Sequence, residues 1–152
     1  MKGTIGMEVI ARKREGVGAM YLCCTVVGVF MAIFGIGATK LYFILLGILL
    51  TAVGGYIYAG YVALPTDVII LESGSVLRLP KGITLNIDDL WDVSYKCATA
   101  KGIQYKWGTV ILRANSGIVY KYGYIAECEA VAKRLTEMMY AARYNHNNKE
   151  EK

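Results

Sequence analysis

The chain has 152 residues and a mean hydropathy of +0.39, and 55% of its residues are hydrophobic. Once its apolar stretches are set aside, enough remains for one small folded unit. The formal net charge of +5 is spread thinly along the chain, which excludes the dense basic stripe of a nucleic-acid binder.

Residues 1–16 read as a basic juxtamembrane leader. Ile5, Val9 and Ile10 set against Arg12, Lys13 and Arg14 suit either a short surface helix or an extended segment. Arg12-Lys13-Arg14 stands directly before the first apolar span, so the positive-inside rule keeps this end cytoplasmic. A cleaved signal peptide is the competing reading. Its apolar core would exceed the roughly 7–15 residues that signal peptides use.

Gly16–Thr39 and Leu41–Thr66 are uncharged and are separated by Lys40 alone. A helix crossing a bilayer needs about 20 mostly apolar residues. Two transmembrane helices are therefore predicted, Val17–Ala38 and Leu41–Ala63, which make residues 17–64 a membrane hairpin. Two crossings return the chain to its starting side, giving a multi-pass inner (cell) membrane protein with both termini cytoplasmic. Lys40 then sits at the far interface, where its stem reaches the headgroups. Gly28 and Gly35 are spaced like Gly47 and Gly54, and Gly28 with Ala32 and Gly55 with Ala59 form small-xxx-small pairs. Lipid gives helices no hydrophobic drive to associate, so small residues that allow close backbone approach take that role. They serve packing within one hairpin or pairing between copies. Neither span holds an Asp, Glu, Arg or His, so nothing resembles a proton relay. Tyr56, Tyr58 and Tyr61 form an interfacial aromatic belt, and Pro65 ends the second helix.

From Asp67 the pattern changes to short alternating runs bounded by turn residues. Seven strands are predicted at Val68–Glu72, Val76–Leu79, Ile83–Ile87, Leu90–Cys97, Ile103–Trp107, Thr109–Arg113 and Ile118–Tyr122. Gly108 is read as a turn, as are Ser73-Gly74, Lys101-Gly102 and Asn115-Ser116-Gly117. Such strands suggest a sandwich or small barrel. After Gly123 the period becomes helical, with Ile125, Cys128, Val131, Ala132, Leu135, Met138, Met139 and Ala142 on one stripe. This amphipathic helix closes a domain over residues 67–144. Residues 145–152 read as a disordered polar tail.

A membrane hairpin, a mainly-β domain and a closing helix, in that order, resemble the bacterial pleckstrin-homology-like domains of small membrane proteins. The matching segments are Asp67–Glu72, Ile83–Val93 (ITLNIDDLWDV), Gly102–Arg113 and the helix Ile125–Tyr140. The resemblance implies a non-catalytic adaptor that binds proteins or lipid and self-associates. Phosphoinositide-binding relatives carry several basic residues around the first hairpin; here Val68–Leu79 offers Arg78 and also Glu72, which departs from that design. Lys96, Lys101, Lys106, Arg113 and Lys121 could instead make a diffuse basic surface towards anionic lipid.

Chemistry is sparse. Asp88, Asp89 and Asp92 are the one acidic cluster and suit a turn better than a metal site. Cys23 and Cys24 lie in the first span, and Cys97 and Cys128 stand apart from any CxxC spacing. Cys97 and Cys128 read as small buried hydrophobes, with a disulfide or metal site as the alternative. Cys23 and Cys24 make no metal site alone, and palmitoylation near the basic flank is the alternative there. No phosphate loop, HExxH or GxSxG occurs. The reading is therefore no enzyme, no cofactor, no metal and no small-molecule substrate. Its partners are membrane lipid, a membrane protein or further copies of the chain. The alternative is an oligomeric membrane effector whose hairpins form a pore.

Overall fold

The computed structural model describes the backbone of residues 7–150 and the side chains of residues 7–144. Residues 1–6 of the leader (Ile5 included), residues 151–152 and the side chains of the tail from Asn145 lie outside the described residues. The chain divides into two compact units. One is Glu15–Leu64, and the other is formed by the segments before and after it.

The first unit is a pair of antiparallel helices, α1 (Val17–Gly37) and α2 (Leu41–Val62), each ending one residue short of its predicted end. Both are long and apolar enough to cross a membrane, with mean hydropathies of 2.3 and 2.0. Thr39, at a φ of 53°, turns the chain between them. Contact is made through glycine. A Cβ on Gly28 would lie 2.7 Å from the Thr51 nitrogen, and one on Gly47 would lie 2.5 Å from the Ala32 nitrogen. Gly35 faces Ile44 in the same way at 2.7 Å, and Gly54 faces the Thr25 hydroxyl at 2.8 Å. Thr25 and Thr51 donate their hydroxyls to the carbonyls of Tyr21 and Gly47, so neither is left open to an apolar surrounding. Gly28, Ala32, Gly35, Gly47 and Gly54 thus pack within one hairpin. Gly55 stays at the margin of the contact and Ala59 is exposed.

The second unit holds two antiparallel sheets and a helix. One sheet has four strands in the order β1 (Glu8–Arg12), β2 (Asp67–Glu72), β3 (Val76–Leu79), β4 (Ile83–Asn86). The other has three, β5 (Leu90–Ala100), β6 (Ile103–Ala114) and β7 (Val119–Ile125), and is followed by α3 (Cys128–Glu150). Among the described residues the strands total seven, but not by the predicted route. The leader is itself a strand: Glu8 pairs with Leu71 and Arg12 with Asp67, and Ala11 is fully buried. Glu8–Arg12 therefore belong to the folded β unit rather than to a separate leader, because β1 completes the sheet. The predicted strands Ile103–Trp107 and Thr109–Arg113 are one strand, with Gly108 in its middle. There the backbone of β5 passes so close that a Cβ on Gly108 would meet the Lys96 carbonyl and lie 2.7 Å from the Cys97 Cα. Glycine here serves close approach rather than a turn.

The end of β1 also reaches β7, where Lys13 bridges to Ile125 and the Arg14 amide donates to the Tyr124 carbonyl at 2.7 Å. The two sheets are thereby joined along that edge. Ile69, Leu77, Leu90, Val110, Leu112 and Ile125 fill the core, and α3 adds Cys128, Val131, Ala132, Leu135 and Met139. Arg143 fixes the helix to the start of β5, donating to the Leu90 carbonyl at 2.7 Å. The helix continues to Glu150, past the point where the sequence suggested a disordered tail.

The close helix contact gives a first prediction. Gly28→Val and Gly47→Val should each destabilise the hairpin by about 1–3 kcal/mol, as overpacking does. Gly60→Ala, where added volume meets open space, should leave it unchanged or slightly more stable. Unfolding of the full chain by sodium dodecyl sulfate in mild detergent measures the difference.

Candidate functional site

Alternation along β5, β6 and β7 divides their side chains between an inner face that packs on α3 and an outer face open to solvent. Direct cross-strand partners share a face, so Lys96 stands with Thr109, Ile111 with Lys121, and Asp92 with Arg113 and Val119, all outward. The outer face also carries rings. Tyr105 and Trp107 lie 6.2 Å apart between centroids, and Trp107 and Tyr124 stack at 6.4 Å with 20° between planes. Lys96, Trp107, Thr109 and Tyr124 border a shallow groove of about 520 Å³ on this face. The hairpin joining β5 to β6 turns through Lys101 and Gly102, both at positive φ (49° and 81°). That is the geometry of a two-residue type I′ turn.

The predicted basic surface is therefore partly assembled. Lys96 and Lys121 are exposed on one face and Lys101 stands at the hairpin tip. Arg113 shares the face but is held by Asp92 at 3.1 Å. Lys106 points the other way, into a cavity of about 510 Å³ that it lines with Cys97, Glu127, Glu129 and Lys133. The topology residues have a second engagement: Arg12 pairs with Asp67 at 3.2 Å, and the Lys13 amide donates to the Thr66 carbonyl at 2.8 Å. Arg78 is paired with Glu72 at 3.1 Å. Asp88 and Asp89 occupy a 3₁₀ turn, and the Asp89 carbonyl accepts the Asn115 amide at 2.7 Å. Among the described residues no group of three His, Cys, Asp or Glu side chains could hold a metal ion.

Sequence reasoning missed the aromatic row. The run Ile103-Gln104-Tyr105-Lys106-Trp107 alternates as an amphipathic strand should, which suggests that its apolar face is buried. The structure leaves Ile103 at 62% and Tyr105 at 41% exposure. Ile103, Tyr105 and Trp107 share the face of Thr109, Ile111 and Arg113, opposite buried Val110 and Leu112, so the apolar side of this run faces outward.

Three groups here hold their protons harder than usual. The negative charge of Glu129, then burial, raises the Tyr95 hydroxyl, which donates to the Glu129 carboxylate. Burial, then Tyr120, raises Tyr122. Burial, then its hydrogen bond with Cys97, pushes Cys128 from 9.0 up to about 12. In each case the unfolded chain releases its proton at lower pH than the folded one. The stability these groups contribute is therefore fully present below about pH 9 and is lost as pH rises towards 12. Thermal unfolding of the full chain between pH 7 and pH 11, roughly spanning that window, should show this decline, and Cys128→Ala should make it shallower.

Comparison of the chain with protein-family models, with curated proteins and with solved structures finds no match.

Proposed function

We propose that this chain is a non-catalytic, membrane-anchored adaptor of pleckstrin-homology-like design. In this reading the hairpin holds the β unit at the cytoplasmic leaflet, where its outer sheet face meets anionic lipid or a partner protein. One observation carries it: the apolar helices are an insertion between two paired strands. Arg12 and Asp67 are cross-strand partners, while the chain between them makes α1 and α2. Both ends of the hairpin must then lie on one side of a bilayer, which supports an even number of crossings with both termini together. The basic triplet Arg12-Lys13-Arg14 supports the cytoplasmic side. A four-stranded and a three-stranded sheet followed by a helix suit the pleckstrin-homology-like resemblance.

Lysines interleaved with Tyr and Trp are the composition of a surface that rests among headgroups. The aromatic rings favour the interface, and each Lys near an anionic leaflet gains about 1 kcal/mol. The pairing of Arg78 with Glu72 keeps the first hairpin from offering a free basic site, so a diffuse lipid surface fits better than one inositol phosphate.

The alternative, an oligomeric membrane effector, is favoured by Gly55 and Ala59, which the hairpin's own packing leaves unused. Dye leakage from vesicles carrying the pure protein separates the two, since an adaptor leaves them sealed.

Trp91 and Trp107 are the two tryptophans, so Trp91→Phe makes Trp107 a single reporter. In nanodiscs bearing headgroup-labelled quenching lipid, Trp107 emission should be quenched more strongly with anionic than with zwitterionic lipid. Charge reversal at Lys96, Lys101 and Lys121 should abolish that difference. Equal quenching in both lipids refutes the lipid surface.

A further inference from the structure

Cys97 on β5 and Cys128 at the start of α3 are separated by 31 residues, yet their sulfur atoms lie 3.1 Å apart. Cys128 is fully buried, whereas Cys97 is half-buried and opens into the 510 Å³ cavity beneath Lys106 and Lys133. Cavities of this order admit small molecules. A disulfide bond is about 2.0 Å long, so closure asks the two sulfurs to approach by roughly 1 Å. The other two cysteines, Cys23 and Cys24, are neighbours on α1, where successive side chains diverge. The pair therefore has one thiol a small reagent can reach and a second thiol behind it.

We propose that Cys97 and Cys128 form a reversible thiol–disulfide exchange site, with a low-molecular-weight disulfide such as oxidised glutathione as its oxidant. The Cys97 thiolate attacks one sulfur of that disulfide. Its S–S bond breaks, and one glutathione thiolate leaves with the bonding electrons and takes up a proton. Cys128 then gives up its proton and attacks the Cys97 sulfur of the mixed disulfide, expelling the second glutathione thiolate, which is protonated in turn. Two protein thiols are oxidised and one small disulfide is reduced to two thiols.

The order of attack follows from position. Cys97 faces the cavity, whereas burial holds the Cys128 thiol protonated, so Cys97 reacts first with the small disulfide. The bond ties the first turn of α3 to β5, a junction otherwise carried by packing and by the Tyr95–Glu129 contact. In a reducing compartment such a bond is transient, as redox-sensing disulfides are.

The test uses the full chain in detergent, carrying Cys23→Ser and Cys24→Ser so that only the pair reports. The reduced protein is exposed to oxidised glutathione, denatured, and its thiols counted by maleimide labelling and intact mass. The expected result is loss of both thiols with no glutathione mass retained. A Cys97–Cys128 linked peptide and return of both thiols on reduction should accompany it. Adding Cys128→Ser should leave glutathione on Cys97, with the fold checked by thermal unfolding. Two thiols that both stay titratable overturn the proposal. So does a glutathione adduct that persists on Cys97 while Cys128 is intact.

Discussion

The structure depends on one pairing made at long range, that of β1 with β2 across residues 13–66. Closing a flexible loop of that length costs on the order of 3–4 kcal/mol in chain entropy. Here the loop is not flexible. Two helices of 21 and 22 residues, antiparallel and matched in length, bring the chain back to where it left. The glycine contacts between α1 and α2 thus do more than hold a hairpin together. They lower the entropic cost of the strand pair that buries Ile10, Ala11, Val68 and Ile69.

How much of this the sequence disclosed depended on whether the signal was local. The apolar spans are long and interrupted by one lysine, and both helices fall within a residue of their expected ends. The hairpins β2–β3 and β3–β4 were legible because their turns follow directly on their strands. β1 was not, since its partner lies beyond the whole insertion and Glu8–Arg12 offers too short a pattern to choose strand over helix. Gly108 misled for a related reason. A glycine that makes a turn and a glycine that admits a neighbouring backbone look alike until the neighbour is known. The polar end of α3 has no apolar stripe to declare it, and the helix runs on there by its own backbone hydrogen bonds.

The candidate site was legible as composition but not as geometry. Five dispersed basic residues suggest a surface in the sequence but no common face. The structure keeps Lys96 and Lys121 on one face, ties Arg113 to Asp92 and sends Lys106 to the opposite side. The row Tyr105, Trp107 and Tyr124 depends on a register between β6 and β7 that no single segment encodes. The cysteine pair was hidden similarly, because nothing in the sequence near Cys97 marks a helix start 31 residues later as its neighbour.

The place of the insertion also bears on how the protein is made. β1 is synthesised before both helices and has no partner until β2 follows them. If only one helix entered the bilayer, β1 and β2 would be stranded on opposite sides and the four-stranded sheet could not close. Val68, Ile69 and Leu71 would then stay exposed on an open strand edge, the kind of surface that aggregation and cellular quality control act on. In the proposed membrane-anchored arrangement, folding of the β unit would therefore report on insertion of both helices.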